Sequence, residues 1–106
     1  MRRFGVLTKL KPECIERYID LHDHIPDGVV QAAHKYGLRN YTIYQIGEYL
    51  FSTFEYIGEC YEKDMAEKAL LPVMQMWSKN CTACFETMPG QDKYETILKE
   101  IFHNEF

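Results

Sequence analysis

Tyr18 and His22 stand four residues apart in a run that begins at Pro12 and reads as helix. At 3.6 residues per turn, two such side chains lie one above the other on a single face. Ile15 and Ile19 fall on the same side, so that face is expected to point inward. Neutral imidazole carries one donor and one acceptor nitrogen and titrates near neutrality. An inward His beside an inward phenol can therefore move a proton inside a partly dry pocket. Tyr41, from a β-type run, would bring a second phenol, and Trp77, with Met76 beside it, a flat apolar surface suited to the C–H side of a sugar ring. One acid/base group among neutral hydrogen-bonding and stacking groups fits a small neutral polar ligand better than an anion. Each residue also has an ordinary packing role open to it. Tyr18 and His22 would be core-edge residues satisfied by hydrogen bonds, Tyr41 a sheet aromatic, and Trp77 part of a helical core stripe.

Other chemistries find less support. No cluster of carboxylates marks a phosphate-metal site, and no glycine-rich phosphate loop is present. Cys81-Thr82-Ala83-Cys84 has the C-x-x-C spacing, but it lies in a helical run with no second pair, so neither zinc nor redox chemistry is expected. His24, His34 and His103 have no partners at telling spacings and read as surface residues.

The elements that must hold these residues follow from the pattern. Arg3–Lys9 reads as a strand with apolar groups on both sides, which is the mark of a central strand. Pro12 and Glu13 suit a helix start, Pro26-Asp27-Gly28 should break the run, and Gly37 should stop the helix that resumes at Val29. Leu38–Ile46 and Tyr49–Tyr56 read as paired strands joined at Gly47-Glu48, a two-residue turn with glycine first. On the first of them Tyr41 and Ile43 share one face and Thr42, Tyr44 and Ile46 the other. Cys60–Ala69 reads as a charged helix with Glu62, Lys63, Asp64, Glu67 and Lys68 on a solvated face. From Pro72 a second helical stretch places Met74, Trp77, Cys81, Cys84 or Phe85, and Met88 on one buried stripe, ended by Pro89-Gly90. Tyr94–His103 is expected as a final strand, although its Lys and Glu content also permits helix. The order β-α-β-β-α-β is that of an α+β, ferredoxin-like sandwich, one antiparallel sheet with helices on one face. The other face would keep its aromatic groups, and pairing two sheets across a two-fold would cover them, so a homodimer is expected.

The totals agree with this. A chain of 106 residues, 46% hydrophobic, is expected to form a single domain, residues 1–106, with a modest core. A net charge of −4 argues against nucleic acid and against an anionic membrane surface. The apolar runs are too short to span a bilayer, and no long apolar stretch follows Arg2-Arg3, so neither a membrane segment nor a signal peptide is expected. Cys14, Cys60, Cys81 and Cys84 form no dense framework, which suits reduced thiols and a cytoplasmic location.

An ordered set of residues resembles the L-rhamnose mutarotase family: Tyr18-x-x-x-His22, Gly37-x-x-Asn40-Tyr41-x-Ile43-Tyr44, Phe51 and Glu55, Gln75-Met76-Trp77, and Met88-Pro89. The likeness runs over nearly the whole chain. It implies a dimeric α/β barrel of ferredoxin-like protomers that interconverts the α and β anomers of L-rhamnose without metal or cofactor. Carried over, His22 would be the proton donor, Tyr18 and Tyr41 would bind the sugar, and Met76 and Trp77 would stand where the family usually has two adjacent Trp. A second departure is His24-Ile25-Pro26-Asp27-Gly28 where the family usually has Pro-Ile-Trp-Pro-Glu. Both departures bear on the choice of sugar. Two rival readings use the same scaffold. One is a small monooxygenase binding haem, with His22 or His34 as axial ligand, or a quinone-type substrate. The other is a dimeric module that binds a sugar or a protein without catalysis.

Overall fold

The computed structural model describes residues 1–105. The first strand, β1, runs Arg2–Leu10, one residue longer at each end than its pattern suggests. Pro12–Cys14 forms a 3₁₀ turn, and α1 follows at Ile15–Asp23. Pro26 stops that helix and stands at the N-cap of α2, Asp27–Lys35. Gly37 takes φ +91° after it, the left-handed step that a helix stop favours. β2 (Leu38–Ile46) and β3 (Tyr49–Tyr56) pair as a hairpin closed by Ile46 opposite Tyr49. Gly47 takes φ +55° at the first turn position, as a glycine-first turn requires. Then come α3 (Tyr61–Ala69), α4 (Pro72–Thr82), β4 (Phe85–Glu86) and β5 (Glu95–Ile97).

The sheet runs β2-β3-β1-β4, with β5 also on β1, and every pairing is antiparallel. β1 is central, and the topology is the ferredoxin-like α+β arrangement. The fourth strand position is filled in two pieces. Lys9 pairs with Glu86 and Thr8 with Glu95, so residues 87–94 leave the sheet and return to the adjacent rung.

This corrects two expectations. The helix from Pro72 ends at Thr82, not at Met88, although Phe85 and Met88 fit its period. The free edge of β1 takes the chain instead: the Lys11 N–H donates to the Cys84 carbonyl at 2.9 Å and Phe85 pairs with Leu10. Edge groups of a central strand need partners, and this segment supplies them. The final strand, expected over Tyr94–His103, is only Glu95–Ile97, extended by one bond from the Leu98 N–H to the Gly5 carbonyl at 2.8 Å.

Alternation decides what the sheet buries. Val6, Thr8 and Leu10 of β1, and Leu50, Ser52, Phe54 and Tyr56 of β3, are buried. Burying one such aliphatic or aromatic side chain is worth about 1.5–3 kcal/mol. The opposite face keeps Phe51, Tyr44 and Ile46 exposed. Under the helices the apolar groups gather in three clusters. One joins Leu10, Tyr18, Leu50, Cys81 and Cys84; the second joins Val6, Leu38, Phe54 and Tyr56; the third joins Val29, Ala32 and Met74 between α2 and α4. Trp77 packs against the first and the third.

Candidate active site

α1 turns Tyr18 into the first cluster, where it is 7% exposed. Ile15 and Leu21 pack beside it, whereas Ile19 is 43% exposed, so the inward face is narrower than its spacing suggests. One turn on, the His22 ring lies 4.4 Å from the Tyr18 ring, and 5.0 Å from Trp77 at 69°, an edge-to-face contact. His22 Nδ1 is 2.9 Å from the Tyr18 carbonyl oxygen. A carbonyl can only accept, so in the neutral ring Nδ1 carries the proton and Nε2 keeps its lone pair for chemistry.

Tyr41 reaches the same face through an irregularity in β2. Arg39 pairs with Glu55 and Thr42 with Thr53, so Asn40 and Tyr41 together oppose Phe54. That is a β-bulge, and bulges re-aim side chains. Tyr41 consequently lies flat on Phe54, ring centroids 4.9 Å apart and 4° from parallel. Ile43 follows it inward against the first cluster, as its shared face with Tyr41 requires.

The two phenols are held neutral. Burial pushes Tyr18 above the ordinary tyrosine range, and the nearby Cys81, Tyr41 and Cys84 add to the rise. Tyr41 is pushed up to about 12, by burial first and then by Glu95, Tyr61 and Cys81, while the Ser52 hydroxyl acts weakly the other way. Both rings are therefore hydrogen-bonding groups, not bases, at neutral pH. Tyr41 as a residue stays 53% exposed.

Met76 is 64% exposed on α4, one residue from Trp77 and on the open side of the helix. His24 lies beside Asp20 at the surface, 3.4 Å from its carboxylate. Asp64, expected on the solvated face of α3, instead accepts a hydrogen bond from the buried Tyr56 hydroxyl. The four cysteines are free. Among the described residues, no group of three or more His, Cys, Asp or Glu side chains is placed to hold a metal, and no helix is long and apolar enough to cross a membrane.

Sequence reasoning missed Thr8 and Ser52, buried hydroxyls on the helix-side face of the sheet at 6% and 7% exposure. The alternation of Thr8 with Val6 and Leu10 was the signal for them. It also missed Glu95, whose place opposite Thr8 sets it on the same face and whose charge reaches the Tyr41 phenol. Two surface grooves, of about 610 and 520 Å³, lie at residues 87–93 and around Lys11, Lys79, Phe85 and Tyr94. Neither is lined by His22 or its neighbours; Phe85 stands between the second groove and Tyr18, 5.7 Å from that ring.

The family model for L-rhamnose mutarotase matches residues 3–104. The chain belongs to this family, whose members are isomerases. A relative named L-rhamnose mutarotase, from Jannaschia sp. (strain CCS1), is 26% identical over 97% of this chain and 98% of its own length. The crystal structure of L-rhamnose mutarotase FA22100 from Formosa agariphila is similar at a TM-score of 0.77, with 19% identity, over 99% of this chain and 100% of that one. An antibiotic biosynthesis monooxygenase has the same fold at a TM-score of 0.62 and 12% identity, over 95% of this chain and 99% of that one. The scaffold is thus shared between chemistries, and the residues on it must decide.

Proposed function

We propose that this chain is a mutarotase that interconverts the α and β anomers of a neutral aldose, L-rhamnose first among them. The observation that carries the reading is His22, fixed through Nδ1 to the Tyr18 carbonyl with Nε2 free between a phenol and an indole. Ring opening needs one proton off the anomeric hydroxyl and one onto the ring oxygen, as the C1–O5 bond breaks to give the open-chain aldehyde. Rotation about C1–C2 and attack of O5 on the other face of the carbonyl closes the second anomer, with the protons returned. In this reading the bare Nε2 of His22 first takes up a proton, from the anomeric hydroxyl directly or through a water, and the imidazolium so formed delivers it from Nε2 to the ring oxygen as the C1–O5 bond breaks. Tyr18 and Tyr41, kept neutral, hold sugar hydroxyls, which leaves water or the neutral ring of His22 as the acceptor of the other proton. Trp77 packs against the sugar's apolar side, with Met76 at its edge. The reaction proceeds unaided, so general acid/base catalysis worth about 10²–10⁴-fold is a sufficient contribution.

We read the whole chain as one domain that works as a homodimer in the cytoplasm. The exposed Phe51, Tyr44 and Ile46 on the uncovered sheet face support the dimer, and four free cysteines suit a reducing compartment. No role for nucleic acid, membrane or cofactor enters the reading. Anomer exchange followed by saturation-transfer NMR over a panel of aldoses tests it. Enhanced exchange for L-rhamnose and its close epimers supports it; saturable binding with no enhancement for any sugar replaces it with a binding module.

A further inference from the structure

Asn40 is the non-glycine residue with positive φ among the described residues, at +54°. Left-handed backbone suits Asn better than most side chains, and it is the conformation that opens one kind of β-bulge. Asn40 also has a defined partner. Its Nδ2 donates to Glu55 Oε1 at 2.5 Å, across to β3. Glu55 is the residue opposite Arg39, on the last regular rung before the bulge.

The consequence falls on Tyr41. Leu38 pairs with Tyr56 on the buried face. Uninterrupted alternation from Leu38 would send Tyr41 to the face that carries Phe51 and Tyr44. The extra residue reverses this, and Tyr41 instead stacks on Phe54 on the face of Tyr18 and His22. A one-residue slip moves a whole set of side chains to the other face, so whatever pins the bulge decides on which face Tyr41 stands.

We propose that Asn40 and Glu55 form a positioning pair: the carboxylate locks the Asn40 amide, the locked bulge holds Tyr41 on the site face, and neither residue touches the substrate. The inference rests on the mutarotase reading only for its kinetic consequence, because the placement of Tyr41 is readable without any sugar.

The test compares Asn40→Ala, Asn40→Gly, Glu55→Ala and Glu55→Gln with the unmodified protein. The Tyr41 ring is followed by NMR in tyrosine-labelled protein, and anomer exchange of L-rhamnose is split into KM and kcat. Face-to-face stacking on Phe54 shifts the Tyr41 ring signals upfield. Glu55→Ala and Asn40→Ala should lose that shift and raise KM by about tenfold, the scale of one lost hydrogen bond to the ligand, with a smaller change in kcat. Glu55→Gln keeps an acceptor oxygen and should recover most of both losses. Asn40→Gly keeps the left-handed backbone without the amide, so it folds and isolates the side chain's part; it should fall between Asn40→Ala and the unmodified protein. An unchanged Tyr41 shift and KM in folded Glu55→Ala and Asn40→Gly would overturn the proposal. If no variant and not even the unmodified protein speeds exchange, the mutarotase reading fails, while the ring shifts still decide whether the pair places Tyr41.

Discussion

His22 Nδ1 lies 2.9 Å from the carbonyl oxygen of Tyr18, one helical turn back. The contact fixes more than the ring's orientation: it assigns the tautomer, because the oxygen has no proton to give. In the neutral ring, ¹⁵N NMR should therefore show a protonated Nδ1 and an unprotonated Nε2. The reverse pattern would remove Nε2 as the working nitrogen and with it the proton path drawn here.

The raised phenols set a second expectation. With Tyr41 near 12 and Tyr18 also raised, ionisation of neither ring should cut activity between pH 7 and 10. Absorbance at the phenolate band should show these two tyrosines titrating late, together with Tyr56, which burial and Asp64 also push up to about 12. The linkage has a definite sign. A phenol whose folded pKa is raised stabilises the fold fully below the unfolded value of about 10. That contribution is lost as the pH climbs through the folded value, so alkaline unfolding should steepen between 10 and 12.

Trp77 is the single tryptophan, and it touches the His22 ring. Binding of a sugar against it should therefore change the protein's tryptophan emission in a saturable way. Trp77→Ala should cost about 3–5 kcal/mol, as large aromatic truncations in packed surroundings do, because the indole packs against two core clusters. Trp77→Phe should keep the fold and weaken sugar binding, read by calorimetric titration because the variant has no tryptophan left to emit. Thermal unfolding and a sugar titration separate the two effects.

Gly58 is under a steric constraint. A Cβ there would meet the Tyr56 hydroxyl and come within 2.8 Å of Asp64 Oδ2. Tyr56 is 1% exposed and cannot swing away. Gly58→Ala should break the Tyr56–Asp64 hydrogen bond and cost about 1–3 kcal/mol, the usual range for forced overpacking, readable in urea unfolding.

The uncovered sheet face gives the test of assembly. Phe51→Asp places a charge among Tyr44, Ile46 and Phe51 without touching the helix-side clusters. It should halve the mass seen by sedimentation if this face joins two copies. An unchanged mass would exclude that interface.

Much of the fold was legible because its signals are local. Pro26 ends a helix by chemistry alone, Gly47 opens a tight turn, and Tyr18 with His22 keeps helical spacing. What escaped depends on partners distant in sequence. The bulge at Asn40 leaves no trace in periodicity, since β2 is exposed along most of its length and shows no apolar alternation to be interrupted. The split fourth strand escaped because Phe85 and Met88 satisfy a helical period, while two- and three-residue strands are too short to show one of their own. Asp64 read as a solvated charge until its partner, eight residues earlier, came beside it. The alternation of each strand puts Thr8 and Ser52 on the face of its apolar residues, but their place together under the helices follows only from the pairing of β1 with β3.

The central claim is that His22 moves the proton. Anomer exchange of L-rhamnose by saturation-transfer NMR, with unmodified protein and His22→Ala at equal concentration and equal thermal midpoint, tests it most directly. The account predicts clear acceleration by the unmodified protein and a loss of about 10²–10⁴-fold in the variant, the usual reach of one acid/base group. Full acceleration by folded His22→Ala would contradict it.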